Sequence, residues 1–143
     1  MLHTITQPNE YLLNLIKDDP VRPEIPLSDR VNSNSRIYVW KQGNETAAVT
    51  CVKFLSSVPA AVEDMADMVE SATTAVFYTI WSYAAGAGRV LIQEAQKSIE
   101  SEFPSIQTYV TLSPKTEMAR RFHLKNGARE LRENTNTINY IYK

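Results

Sequence analysis

Thiols are almost missing from this chain: Cys51 is the one cysteine in 143 residues, so no disulfide can form within it. Disulfide-stapled secreted scaffolds are thereby excluded, and a reducing compartment fits. Long hydrophobic runs are missing too. No stretch approaches the length of a membrane-spanning helix, and the opening segment MLHTITQPNEYLLNLIKDDP lacks the basic, apolar and small-residue order of a signal peptide. The expectation is a cytoplasmic protein. There is no excess of charge: 15 basic residues face 16 acidic ones, for a net charge of −1. Without a basic stripe carrying interleaved aromatics, a nucleic-acid partner fits poorly. The chain also has no internal repeats and no low-complexity tracts.

What is present is an ordinary globular composition, 43% apolar and 22% charged, at a length that suits one domain over residues 1–143. The charge is divided unevenly. Residues 1–71 hold 6 basic and 10 acidic side chains, whereas residues 72–143 hold 9 and 6. A polyanionic small molecule would suit the second half.

The informative stretch runs from Thr73 to Ala128. Ala75 to Tyr83 (AVFYTIWSY) is rich in β-branched and aromatic residues and reads as a buried strand. Gly86 and Gly88 interrupt it. From Val90 the apolar residues move to helical spacing, with Leu91, Ala95, Ile99 and Phe103 inward and Gln93, Gln96, Lys97 and Glu100 outward. Pro104 ends that helix, and Ile106 to Leu112 is a second strand. A strand, a glycine turn and a helix N-terminus together form a phosphate site, because backbone N–H groups can approach the anion. The turn YAAGAGR is neither a GxGxxG fingerprint nor a P-loop, so taken alone a tight packing turn explains it equally well.

Around this unit, residues 8–19 suit a short helix with Tyr11, Leu12, Leu15 and Ile16 on one face, and Pro20, Pro23 and Pro26 enforce an extended connector. Arg36 to Trp40 and Thr46 to Leu55 form a hairpin about Gln42–Glu45. Cys51 falls inside the second strand and reads as a packed thiol. Residues 59–70 suit a helix with Val62, Met65, Ala66 and Val69 inward. Its Glu63, Asp64, Asp67 and Glu70 have no accompanying histidine, so they read as a solvated face and no metal is assigned. Thr135 to Tyr142 is the last strand. The expected product is α/β: a mixed twisted sheet of five to seven strands, flanked by helices on both faces and antiparallel at its start and end.

AVFYTI (Ala75 to Ile80), Leu91-Ile92, EFP (Glu102 to Pro104), TLSP (Thr111 to Pro114), FHLKNGA (Phe122 to Ala128) and NYIY (Asn139 to Tyr142) follow one another along the chain. In that order they resemble the C-terminal catalytic domain of malonyl-CoA decarboxylase, which has the GNAT (acyl-CoA N-acyltransferase) fold. The resemblance covers roughly Arg30 to the C-terminus, and TLSP and FHLKNGA are its specific parts. It implies that coenzyme A or an acyl-CoA is the ligand, held at Gly86, Ala87, Gly88 and Arg89.

The resemblance also implies catalytic roles for Ser113, His123 and Tyr142. From the residues alone, Ser113 reads as a helix N-cap and Tyr142 as a buried strand aromatic. His123 falls about 40° beyond Ala119 on a helix from about Lys115 to Asn126, whose buried stripe is expected at Met118, Ala119 and Phe122. That edge position fits a core-edge histidine as well as a proton-transfer group. His3, in the N-terminal segment, is set aside as flexible. Arg120, Arg121 and Lys125 suit either CoA phosphates or a solvated helix face.

Three departures from the family pattern stand out. The loop WSYAAGAG is shorter than the family's, and the place of an active-site glutamate falls near Gly86. The family's insertion between TLSP and FHL is missing, as is the helical domain that precedes the catalytic domain. The leading expectation is decarboxylation of a malonyl-type thioester. The alternatives are transfer of an acyl group to an amine, with His123 as general acid toward the thiolate, and a non-catalytic CoA-binding module. The implied partner is a small-molecule acyl-CoA, with no membrane and no nucleic acid, and a homodimer is left open.

Overall fold

The computed structural model describes residues 1–66 and 69–143. Its strands are β1 (Leu2–Ile5), β2 (Ser35–Gln42), β3 (Glu45–Leu55), β4 (Thr74–Ser82), β5 (Thr108–Thr111), β6 (Ser113–Pro114), β7 (Arg129–Glu133) and β8 (Thr137–Tyr142). The helices are α1 (Glu10–Ile16), α2 (Leu27–Arg30), α3 (Ala87–Glu102) and α4 (Glu117–Lys125). One mixed sheet holds all eight strands, in the order β1-β2-β3-β4-β5-β8, with β6 and β7 also pairing with β8. The sheet exceeds the expected strand count because β1 and β7 join it. Residue His3 is therefore not in a flexible terminus: it pairs with Val39.

Every pairing is antiparallel except β4 with β5, where Thr74↔Thr108 runs in register to Phe77↔Thr111. Two features open the sheet at that place. The β3–β4 register shifts between Cys51 and Val52, leaving Tyr78 as an extra residue in β4. Past Phe77, β4 continues to Ser82 against β3, whereas the chain after β5 turns to pair β6 with β8. The last link across the gap is Leu112 N–H to Phe77 O at 3.4 Å.

Apolar layers cover both faces. Leu91, Ile92, Ala95 and Ile99 of α3 pack on Tyr38, Val52, Phe54 and Phe77, while Leu15 and Val31 cover Val39, Val49, Cys51 and Val76 on the other side. Gly43, at φ +63°, makes the β2–β3 hairpin turn. Helix α3 begins one turn earlier than its apolar pattern predicts, at Ala87. Gln96, expected outward, is buried and donates to Glu100 Oε1 and to the Lys143 carbonyl.

Among the described residues, the helix expected over residues 59–70 is reduced to a 3-10 turn, Val62–Met65. The carbonyls of Pro59 and Ala60 are taken by Asn139 Nδ2 and Thr137 Oγ1, and Asp64 Oδ2 accepts from Ala60 and Ala61 N–H. These contacts hold the strand-side loop out of a helical path. Asp67 of the acidic run lies outside the described residues, as does the side chain of Leu12.

Candidate active site

A cavity of about 330 Å³ lies where β4 and β5 part. Ile80 and Gly88 line it from the α3 side, Phe122 from α4, and Pro20 and Val21 from the connector on the opposite face. Ser113 and His123 both line it, although they sit on β6 and α4.

Ser113 is not the cap of α4. That role belongs to Thr116, whose Oγ1 accepts from Ala119 N–H at 3.2 Å. Ser113 is 4% exposed, and its Oγ donates to Thr111 Oγ1 at 2.8 Å. Thr111 Oγ1 in turn accepts from Tyr140 N–H at 3.0 Å, and Asn139 Nδ2 donates to the Thr111 carbonyl at 2.7 Å. The hydroxyl pair is thus held by β8.

Helix α4 turns its inner face differently from the expected stripe. His123 is 5% exposed, whereas Met118 is 82% exposed and reaches only the cavity rim. At 100° per residue the two lie 140° apart, so a face centred on His123 must push Met118 outward. The imidazole stacks on Tyr140 with centroids 5.1 Å apart, and its Nδ1 lies 2.7 Å from Tyr142 Oη. Among the described residues Nε2 makes no hydrogen bond. Burial lowers the His123 pKa from 6.5 to about 4, and no carboxylate counters it, so the ring is neutral near pH 7. Burial raises the Tyr142 phenol, which stays protonated. Tyr142 is joined to His123 without itself lining the cavity.

Gly86 holds φ +79° immediately before α3, a left-handed conformation that favours glycine. One N–H of the turn, that of Ala87, is spent on Ala84 O at 3.2 Å. Gly88 serves close packing: a Cβ there would meet the Phe122 ring at 3.1 Å. Arg89 is exposed and makes no ion pair among the described residues. Arg120 and Arg121 are paired with Glu130 and Glu117, at 3.3 and 3.4 Å.

The largest feature that the sequence did not announce is a buried ion pair. Arg30 Nη1 meets Asp19 Oδ2 at 2.7 Å, with both side chains 0% exposed. Asp19 Oδ1 accepts from Thr79 Oγ1 on β4 and from Val21 and Arg22 N–H. Arg22 Nη2 donates to the Leu112 carbonyl at 2.9 Å. Residues 19–22 are therefore strapped to both strands beside the gap. Arg30 also reaches Cys51 Sγ at 3.6 Å, and burial raises that thiol to about 11, so it is packed and un-ionised. An aspartate before a proline-rich connector carries no local sign that its partner lies eleven residues on.

The family model for the malonyl-CoA decarboxylase C-terminal domain matches residues 49–121. The match contains Ser113 and stops two residues short of His123. The structure is similar to malonyl-CoA decarboxylase from Agrobacterium vitis, at 25% identity and a TM-score of 0.73, over 85% of this chain and 35% of that one. For the decarboxylase from Rhodopseudomonas palustris the values are 22%, 0.78, 99% and 59%. A Bacillus subtilis acetyltransferase solved in complex with CoA superimposes at 13% identity and a TM-score of 0.68, covering 99% of this chain and 97% of that one. This chain thus spans less than two thirds of either decarboxylase. No curated protein matches the sequence. The structural likenesses give the fold as GNAT, as expected. With 73 of its 143 residues inside the family match, the chain belongs to the malonyl-CoA decarboxylase C-terminal domain family.

Proposed function

We propose that this chain binds a coenzyme A thioester in the gap between β4 and β5 and removes CO₂ from a malonyl-type acyl group. The observation that carries this reading is the convergence of Ser113 and His123, from separate elements, on one cavity. The Gly86–Arg89 turn offers helix N-terminal amides to the pyrophosphate. Beyond Phe77, β4 has no strand partner on its β5 side, so its edge can pair with the amides of an extended thioester arm.

In the reaction the carboxylate carbon leaves as CO₂, and the electrons of the broken C–C bond pass to the thioester oxygen, giving an enolate. Donors fixed where that charge develops stabilise it. Thr111 can give its hydroxyl proton to Ser113, which frees the Ser113 O–H for the departing carboxylate. With Tyr142 donating to Nδ1, the neutral His123 ring carries its proton on Nε2. An enolate carbon is a stronger base than imidazolate, so a neutral ring suffices to protonate it. The ring regains a proton from water as product leaves.

The test offers malonyl-CoA and acetyl-CoA separately and follows products by mass spectrometry. Acetyl-CoA formed from malonyl-CoA alone supports the proposal. CoA binding with no such product sinks it and leaves a binding module. A second reading, acyl transfer to an amine, is favoured by the full-length superposition on an acetyltransferase. Its signature is free CoA released from acetyl-CoA only when an amine is present.

A further inference from the structure

A second cavity, of about 320 Å³, lies on the α2 side of the sheet, where Tyr78 forms a wall common to both cavities. Lys53 of β3 lines it and is 6% exposed. Among the described residues Lys53 makes no hydrogen bond and no ion pair within 4.0 Å. Asp29 acts on it only from longer range, and burial lowers its pKa. The Tyr78 hydroxyl is buried and has no oxygen or nitrogen partner; its polar neighbour is the Cys51 thiol, a weak acceptor. Two donors without an oxygen or nitrogen acceptor therefore sit at a cavity whose other walls include Ile25, Val62 and Met65. Asn32, also on the wall, adds little, since its amide is engaged with Ser28 O and Asn34 N–H.

The Lys53 ammonium keeps contact with solvent at the cavity and the buried phenol lacks an oxygen or nitrogen acceptor, so an acceptor placed in the cavity can serve both. From this arrangement we infer that the second cavity is a binding site for a small organic carboxylate with an apolar body, its two oxygens taken by Lys53 and Tyr78. One cation matches one negative charge, whereas a phosphate dianion would bring a second charge that nothing buried there neutralises. The volume and mainly apolar walls suit a short aliphatic chain. Asp29 and Glu63 are exposed at the rim, where water screens them, so they do not turn the floor toward cations. The inference concerns a different cavity from the CoA thioester and stands whether or not the decarboxylation reading does.

The experiment titrates hexanoate into the full chain by calorimetry, with hexanol and hexylamine as isosteric controls. The variants are Lys53→Met, which keeps the stem, and Tyr78→Phe, which removes only the hydroxyl. Hexanoate should bind the wild type at millimolar concentration or below. Lys53→Met should weaken it about tenfold or more, the usual scale for a charged hydrogen bond, and Tyr78→Phe severalfold. Hexanol and hexylamine should bind at least about tenfold more weakly, and saturating CoA should leave hexanoate binding in place. Equal binding of hexanol, displacement by CoA, or affinity unchanged in Tyr78→Phe would each overturn the assignment. So would the absence of binding at ten times that concentration. If Lys53→Met does not fold, Tyr78→Phe decides the matter alone.

Discussion

Acidification should destabilise this protein through His123 by an amount that its burial sets. In the unfolded chain the ring titrates near 6.5, and in the folded chain near 4. Above pH 6.5 both states hold a neutral ring and the group contributes no difference. Between 6.5 and 4 the unfolded state takes up a proton that the folded state refuses, so stability falls as pH falls. Between pH 7 and pH 5 the loss is about 2 kcal/mol, and in the acid limit about 3 kcal/mol. That is a sizeable part of an ordinary domain's stability.

The assay is urea unfolding at pH 7 and pH 5 for the wild type and for His123→Gln, which stays polar and can still meet Tyr142. Carboxylates protonate alike in both proteins, so their effects cancel in the comparison. The wild type should lose about 2 kcal/mol more than the variant on going to pH 5. Equal losses would refute the neutral, buried ring and with it the proton route drawn above.

Other outcomes follow from the same geometry. Given decarboxylation, His123→Ala should cut turnover by about 10² to 10⁴ while leaving CoA affinity nearly unchanged, measured by steady-state kinetics and calorimetry. Turnover should stay level from pH 6 to 8, because the neutral ring is the working form, whereas a decline above 6.5 would indicate an imidazolium acid. Gly88→Val should cost about 1 to 3 kcal/mol by driving into the Phe122 ring beside the cavity, and should raise the KM for any thioester. Asp19→Ala should cost about 3 to 5 kcal/mol, since it strands the buried Arg30 guanidinium, and chemical denaturation reads this directly.

Much of the sheet was legible because its interior strands repeat a simple pattern. Residues 75–81 and 47–55 are buried almost throughout and are apolar apart from Thr50, Lys53 and Thr79, and one glycine turn joins β2 to β3. β7 was not legible: Arg129, Glu130, Leu131, Arg132 and Glu133 are all exposed, so no face of the strand carries an apolar signature. β1 is short and half-exposed at the sheet edge, which hides it in the same way. The helix expected over residues 59–70 failed for the opposite reason, since its composition was right and the carbonyls it needed were claimed by β8.

At the candidate site, Ser113 and His123 were found through resemblance, and the common cavity follows from strand divergence that no local pattern announces. Asp19, Arg30, Thr79 and the wall at Pro20 and Val21 were missed because burial of a charge is a tertiary property. The outward turn of Met118 was missed for a narrower reason. Its hydrophobicity placed it inside a stripe, and a helix of nine residues need not bury every apolar side chain it has.

The strap over residues 19–30 has a bearing on where the working unit begins. The family match starts at residue 49, yet a wall of the cleft and the cover of Cys51 are supplied from thirty to twenty residues earlier. A fragment trimmed to the match would keep Ser113 but lose His123 and Tyr142 at its far end, together with the enclosure around the cleft. Cys51 also becomes a clock for that enclosure. While Arg30 stays seated, the thiol is shielded and un-ionised, so a thiol reagent can reach it only when the strap lifts. The rate of labelling at Cys51, with and without CoA, then counts how often the cleft loses its wall and whether an occupant holds it shut.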